Sequence, residues 1–198
     1  MKKGLLALLL AVAMAVPVFA VEKGSMEIVP KVGYVIEPLM VVTYQYDGDK
    51  LGYNQEPAFS LGADFYYYVM NNLGAGVGVN YVFDSKFNDG WDKRDSLGAT
   101  NIYVAVKPVF ELQENKFIDK IYFLGQLGYG MTRYENKMNF SSEKYNENGL
   151  YWAIGAGAEK CNIVVELVYS VNYFEIEDWN ESFTNRRTAI NAGYKFSI

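Results

Sequence analysis

The sequence contains no histidine, and this absence narrows the chemistry that the chain could perform. Histidine is the commonest general base near neutral pH and a common metal ligand. Catalytic arrangements that pair a histidine with a serine or an aspartate are therefore excluded. Carboxylates are abundant, so a hydrolase built on a pair of acids stays open, although no such pair stands out. We predict a non-enzyme with no catalytic, metal or cofactor site.

Long apolar runs are also lacking, except at the start of the chain. Two lysines precede the apolar stretch 5–16, and Val18 and Ala20 occupy the −3 and −1 positions of a cleavage site. A positively charged N-terminal region, an apolar central region and small residues before the cleavage site are typical of a secretory signal peptide. The apolar stretch is too short to be a spanning helix. We predict that residues 1–20 are removed and that residues 21–198 form one domain.

Cysteine and positive charge are scarce as well. Cys161 is the only cysteine, which excludes an intramolecular disulfide; it could pair with another chain or be a tolerated residue in a short turn, and we favour the second interpretation. The formal net charge is −5. Because a nucleic-acid-binding domain needs a basic surface, we expect no nucleic-acid partner.

What the chain does contain is alternation. At eight places apolar side chains recur at every second residue, as they do in a strand whose two faces meet different surroundings. These stretches are 26–36, 59–69, 74–83, 100–109, 121–131, 150–159, 163–173 and 186–198. One face of each carries aliphatic and aromatic residues, while the other carries glycines and charges. The three glycines at 74, 76 and 78 would leave room in a narrow barrel for bulky neighbours such as Tyr66 and Tyr68.

The connections between these stretches alternate in length. Long polar segments at 37–57, 84–95, 133–148 and 175–185 alternate with shorter ones at 70–73, 111–119 and 160–162. The first part of the segment 37–57 could also extend the first strand. Strands in a membrane must pair on both edges, and short periplasmic turns opposite longer extracellular loops are typical of outer-membrane barrels. We therefore predict an all-β fold, an eight-stranded antiparallel up-and-down transmembrane β-barrel with both termini periplasmic. A soluble periplasmic barrel is the alternative.

The glycine-dominated stretches 125–130 and 155–159, together with the closing stretch 186–198, carry a family resemblance. The closing stretch has aromatic and apolar residues at alternate positions up to Ile198. The chain resembles the OmpA/OmpX-like superfamily of small bacterial outer-membrane β-barrels, which includes opacity-type surface proteins. The resemblance implies a monomer in contact with outer-membrane lipid. It also implies that the barrel insertion machinery recognises residues 186–198.

The polar faces of the predicted strands carry seven charged residues that would point into the lumen. They are Lys31, Asp64, Lys107, Glu159, Glu166, Arg187 and Lys195. Because charges inside a narrow barrel must pair or stay hydrated, we expect a salt-bridge network in which Glu166 lies between Arg187 and Lys31. Such a network could plug the lumen, which we favour, or act as a gate.

Two tryptophans in the predicted loops are candidates for contact with a host or another cell surface. Trp91 and Trp179 both stand among charged residues, and exposed aromatic residues often anchor interfaces; the alternative is an ordinary solvated loop. We predict a structural or surface-interaction role, in adhesion or envelope integrity, through the extracellular loops. The alternative is a small-solute channel.

Overall fold

The structure, a computed structural model, describes residues 21–44, 50–87, 95–112, 117–138, 141–176 and 181–198. Ten strand segments account for nearly all of these residues. They are β1 (Met26–Tyr44), β2 (Lys50–Asn54), β3 (Ala58–Met70), β4 (Leu73–Lys86), β5 (Ser96–Glu111), β6 (Lys120–Met138), β7 (Ser141–Lys160), β8 (Ile163–Ile176), β9 (Glu181–Tyr194) and β10 (Phe196–Ser197). Within the described ranges, no helix has the length and apolar character needed to cross a membrane.

The segments form one closed antiparallel barrel. Each strand from β3 to β8 pairs with the next, and β1 pairs with β3 on one side and with β9 on the other. β2 continues the line of β3, and β10 continues the line of β9, since both short segments also pair with β1. The ten segments therefore make eight barrel strands, and the predicted fold class is confirmed.

Burial alternates along the strands as the sequence predicts. In β1, Val32 and Tyr34 are exposed on the outer face, whereas Val29 and Lys31 are buried in the interior. The outer face of β6 is apolar from Ile121 to Met131, close to the length of about 9–11 residues that a tilted strand needs to cross a bilayer. Because the pleat has a period of two, each strand offers one face to hydrocarbon and the other to the lumen.

Three of the predicted polar loops are largely strand. Residues 37–57, 133–148 and 175–185 were expected to connect strands, but β2 lies within the first of them, and β6 and β7, and β8 and β9, extend far into the other two. The extension of β1 into 37–57 had been left open by the sequence. The expectation was wrong because it relied on apolar alternation. Beyond the apolar band the outer face no longer has to be apolar, so the pattern fades although the backbone pairing continues.

The two ends of the barrel differ. We call the end with the chain termini the terminal end; there Val21 N donates to Asn72 Oδ1 across 2.8 Å and Ile198 N donates to Met26 O across 3.0 Å. Its turns between β3 and β4 and between β7 and β8 are tight, with positive φ at Asn72, Cys161 and Asn162. We call the opposite end the far end. There the strands extend beyond the apolar band, which is the part of the outer face that consists of apolar residues.

Apolar side chains fill the interior in separate layers. The largest cluster contains Tyr66, Tyr68, Tyr103, Tyr122 and Tyr151. A second cluster closes the far end, and we call it the apolar cap: Met40, Val42, Phe87, Leu97, Tyr134, Phe174 and Phe183. Between them lies a layer rich in amides and hydroxyls. Side chains of the described residues thus occupy the interior at several heights.

Candidate functional site in the barrel interior

The structure places all seven predicted charged residues inside the barrel. Each has a solvent exposure of 8% or less. Glu27 joins them at 4% exposure; it lies on the inward face of β1 and was overlooked, although the same alternation would have found it. The interior therefore holds these eight buried charged residues.

Lys31 lies at the centre of the main charge cluster. Its Nζ donates to Asp64 Oδ2 at 2.6 Å and to Glu166 Oε2 at 2.9 Å. The three residues come from β1, β3 and β8, so the contact ties together strands that are far apart in the sequence. A buried ammonium held by two carboxylates satisfies the requirement that a buried charge be paired.

Tyrosine hydroxyls hold the two carboxylates in place. Tyr103 Oη donates to Asp64 Oδ1 at 2.7 Å, and Tyr66 Oη donates to Asp64 Oδ2 at 3.2 Å. Tyr122 Oη donates to Glu166 Oε1 at 3.1 Å. Sequence alone places these rings on the inward face but cannot assign their hydroxyl partners, because those depend on the register across the barrel.

Glycines make room for these rings. A Cβ added to Gly76 would lie 2.7 Å from Cδ1 of Tyr66, and one added to Gly157 would overlap the ring of Tyr122. The prediction that glycines 74, 76 and 78 leave room for bulky neighbours is confirmed for Gly76 and Tyr66, but Tyr68 has no atom among those nearest to any of the three. Tyr68 is also buried inside the barrel.

Two further ion pairs lie in the interior. Lys107 pairs with Glu27, and its ammonium lies 4.8 Å from the ring centroid of Tyr66 and 4.5 Å from that of Tyr122. Lys195 pairs with Glu159. Both pairs are nearly as buried as the Lys31 cluster, so each ammonium is balanced locally by a carboxylate.

Arg187 departs from the expected arrangement. Glu166 lies opposite Asn191, whereas Arg187 lies opposite Ser170, four residues nearer the far end along β9. This spacing corresponds to about 13 Å, so the expectation that Glu166 lies between Arg187 and Lys31 was wrong for Arg187. Its Nη1 lies 3.5 Å from Asn172 Oδ1 instead. Sequence alternation assigns a face of the sheet but not a height in the barrel.

Little free space remains among these groups. A cavity of about 20 Å³ is lined by Lys31, Ser60, Asn80, Tyr103 and Gln126, among others. Its polar lining and its size suit about one water molecule. No larger space is described among the residues that line this cavity.

The other candidates from the sequence are the two loop tryptophans, a metal site and the lone cysteine. Trp91 and Trp179 lie outside the described residues. Among the residues that the structure describes, no group of three or more histidine, cysteine, aspartate or glutamate side chains could hold a metal ion. Cys161 is exposed in the tight turn between β7 and β8.

A closed antiparallel barrel with an apolar outer face and a charged, packed interior defines the protein as a transmembrane β-barrel. The chain belongs to the family of the outer membrane protein beta-barrel domain, whose family model matches residues 5–196. Membership indicates the bacterial outer membrane and confirms the family resemblance found in the sequence. No match was found among curated protein sequences.

Several solved structures have a similar chain path. The attachment invasion locus protein Ail of Yersinia pestis, in complex with the heparin analogue sucrose octasulfate, is 22% identical with a TM-score of 0.49, over 88% of this chain and 99% of that one. Neisserial surface protein A is 12% identical with a TM-score of 0.47, over 85% and 98%. OprG of Pseudomonas aeruginosa is 15% identical with a TM-score of 0.45, over 88% and 97%. Identities of this size carry no information about a shared role.

Proposed function

We propose that the protein is a closed, non-conducting and non-enzymatic barrel that holds its far end outside the cell for adhesion or envelope integrity. The observation that carries this proposal is the packed lumen. Lys31, Asp64 and Glu166 are joined across the barrel at 2.6 and 2.9 Å, and the cavity beside them has room for about one water molecule. A solute path would require this cluster to come apart.

The proposal includes an orientation. In the proposed route of export, residues 1–20 are removed as a signal peptide and the insertion machinery recognises residues 186–198. Both termini then lie in the periplasm. The two-residue turns at Asn71–Asn72 and Cys161–Asn162 are at the terminal end. Short turns of this kind are typical of the periplasmic side of outer-membrane barrels.

The far end supports a surface-interaction role. Beyond Met131 and Leu150 the paired strands β6 and β7 continue to Met138 and Ser141. Their described outward residues there include charged and amide side chains such as Arg133 and Asn146. A paired hairpin beyond the apolar band would hold a rigid polar surface above the membrane, and Trp91 and Trp179 are proposed contact residues in the neighbouring loops.

The second candidate is a small-solute channel. The observation that favours it is the concentration of buried charges and the polar cavity along the axis, since a rearranged cluster could line a water path. In this alternative the Lys31, Asp64 and Glu166 cluster is a gate and not a plug.

Conductance across a planar bilayer separates the two candidates. Residues 21–198 are refolded in detergent, shown to run as a heat-modifiable band and inserted into the bilayer. The proposal expects no discrete current steps from inserted protein. Reproducible steps in the wild type that change in the Glu166→Gln variant would overturn it in favour of the channel.

A further inference from the structure

Arg187 differs from the other buried cations in its surroundings. Lys31, Lys107 and Lys195 each contact a carboxylate. Arg187 is 3% exposed, yet its one hydrogen bond is the 3.5 Å contact from Nη1 to Asn172 Oδ1, and its Nη2 has no partner. A buried guanidinium without an anion is costly, because its desolvation is not offset by an opposite charge.

A second unpartnered side chain lies next to it. Asn185 precedes Arg187 by two residues on the same face of β9, and Asn172 lies opposite Asn185 in β8. Asn185 has 0% exposure, and neither its Nδ2 nor its Oδ1 has a hydrogen-bond partner. Two neighbouring buried side chains on one face of β9 thus each have polar atoms without a partner, which is unusual in a packed interior.

The same layer contains a third side chain with an unpartnered polar atom. Thr132 Oγ1 is buried without a partner, and Thr132 follows Gly130 by two residues on the inward face of β6. Gly130 packs against Asn172, since a Cβ added there would overlap Asn172 Nδ2. Asn172 Nδ2 is already used, because it donates to Asn101 Oδ1 at 2.6 Å.

Apart from Asn185 Oδ1, which can only accept, these groups can donate, and together they carry one positive charge. The guanidinium Nη2 and the amide Nδ2 donate, the hydroxyl can donate, and no carboxylate contacts Arg187 in the described part of the chain. Water could satisfy the hydrogen bonds but would leave the charge uncompensated. Glu166 lies opposite Asn191, which is four residues or about 13 Å from Arg187 along β9, and its carboxylate is already paired with Lys31.

We propose that this layer is a binding site for a small monovalent inorganic anion of the halide class, held by Arg187 Nη2 and Asn185 Nδ2 inside the barrel. The anion supplies the charge that the sequence does not place there. Its function is structural: it completes the polar layer between the Lys31 cluster and the apolar cap.

The apolar cap determines how the site must be tested. Asn185 pairs with Met40 of the cap across β1 and β9, and Phe174 of the cap follows Asn172 by two residues on the inward face of β8. An anion beneath the cap is enclosed when the barrel closes. The anion should therefore be present during refolding and not added only afterwards.

The test compares salts at equal ionic strength. Residues 21–198 are refolded in detergent with sodium gluconate, sodium chloride or sodium bromide, and the unfolding half-life at one elevated temperature is measured from the heat-modifiable band. A ligand that binds only the folded form at about ten times its dissociation constant stabilises that form by a factor of about ten. We expect chloride and bromide, but not gluconate, to lengthen the half-life about tenfold.

Matched variants locate the effect. Arg187→Gln is expected to have the same half-life in all three salts, whereas Arg186→Gln, which alters the exposed neighbour, keeps the dependence of the wild type. Asn185→Asp puts a carboxylate beside Arg187 and is expected to fold and to lose the dependence on halide.

Equal half-lives of the wild type in the three salts would overturn the proposal and leave water as the ligand of the layer. An unchanged halide dependence in Arg187→Gln would also overturn it. If Arg187→Gln fails to refold, the Asn185→Asp variant decides: an unchanged dependence of its half-life on halide would overturn the proposal.

Discussion

Lys31 Nζ lies 2.9 Å from Glu166 Oε2, although 135 positions separate the two residues in the chain. The contact joins β1 to β8 across the interior, and Asp64 of β3 completes it from the other side. A single ammonium thus connects three barrel strands, and we expect the free energy of unfolding to depend on these contacts.

Replacing Glu166 by glutamine should destabilise the folded barrel. Lys31 keeps Asp64 but loses its second carboxylate, and hydrogen bonds to charged groups contribute about 1.5–3 kcal/mol. We expect the free energy of unfolding to fall by about 2 kcal/mol, measured by urea titration in lipid vesicles. Glu56→Gln, at an exposed position, is the control. A Glu166→Gln variant as stable as this control would contradict a structural role for the cluster.

The pair of Glu27 and Lys107 should show strong coupling in a double-mutant cycle. Lys107→Met alone leaves a buried carboxylate without its cation, at a cost of about 3–5 kcal/mol. The double variant Glu27→Leu/Lys107→Met removes both charges, so it should cost less than the sum of the single variants by about 2 kcal/mol. Additive effects within error would show that the two charges do not interact in the folded barrel.

An alanine at Gly157 should disturb the hydroxyl contact between Tyr122 and Glu166. The added Cβ would overlap the Tyr122 ring, and overpacking of this kind costs about 1–3 kcal/mol. Gly52→Ala is the matched control, since its Cβ would meet Leu39 Cδ1 at 3.6 Å. Urea titration of both variants tests the prediction, which fails if they are equally stable.

The lone cysteine reports the orientation of the barrel. Cys161 is exposed in a turn at the terminal end, so a periplasmic terminal end predicts no reaction with a membrane-impermeant maleimide in intact cells and full reaction after permeabilisation. The variant Cys161→Ser/Asn146→Cys moves the thiol to an exposed position at the far end. It should react in intact cells. The reverse pattern for the two proteins would show the opposite orientation.

The two loop tryptophans offer a test of the surface-interaction role. If they are contact residues, Trp91→Ala and Trp179→Ala should each weaken attachment of expressing bacteria to a host-cell layer, with losses of the size seen for interface anchors, at least about 2 kcal/mol or roughly thirtyfold in affinity. Trp152→Phe, on the outer face of β7, is the control. Attachment equal to that of the control would assign Trp91 and Trp179 to solvated loops.

The sequence was sufficient for the fold because the barrel imposes the same rule on every strand. Lys107 in β5 and Lys195 after β9 could be assigned to the interior from alternation alone, since a shift by one residue would turn a charge toward hydrocarbon. The strand ends were harder to predict. Residues 133–138 and 141–148 are paired strands, and the outward residues described there, such as Arg133 and Asn146, are polar, so no apolar pattern marks them.

The contacts of the candidate site needed the register between strands. That Tyr103 reaches Asp64 and that Arg187 lies away from Glu166 both follow from the stagger of strands around the barrel. Stagger is set by the sum of many backbone pairings and has no local sequence signal. The unpartnered state of Asn185 depends on the same stagger, so the proposed anion site could not be inferred from the sequence.

The pairing of β1 with β9 also has a consequence for the timing of biogenesis. One edge of the first strand to be synthesised is matched, from Lys31 opposite Gly193 to Tyr44 opposite Glu181, by the last long strand. That edge has no partner until the ribosome has made residues 181–193. Pairings between such distant segments form slowly, and an unpaired edge invites association with other chains. The exported chain must therefore be kept from aggregating until both ends can meet.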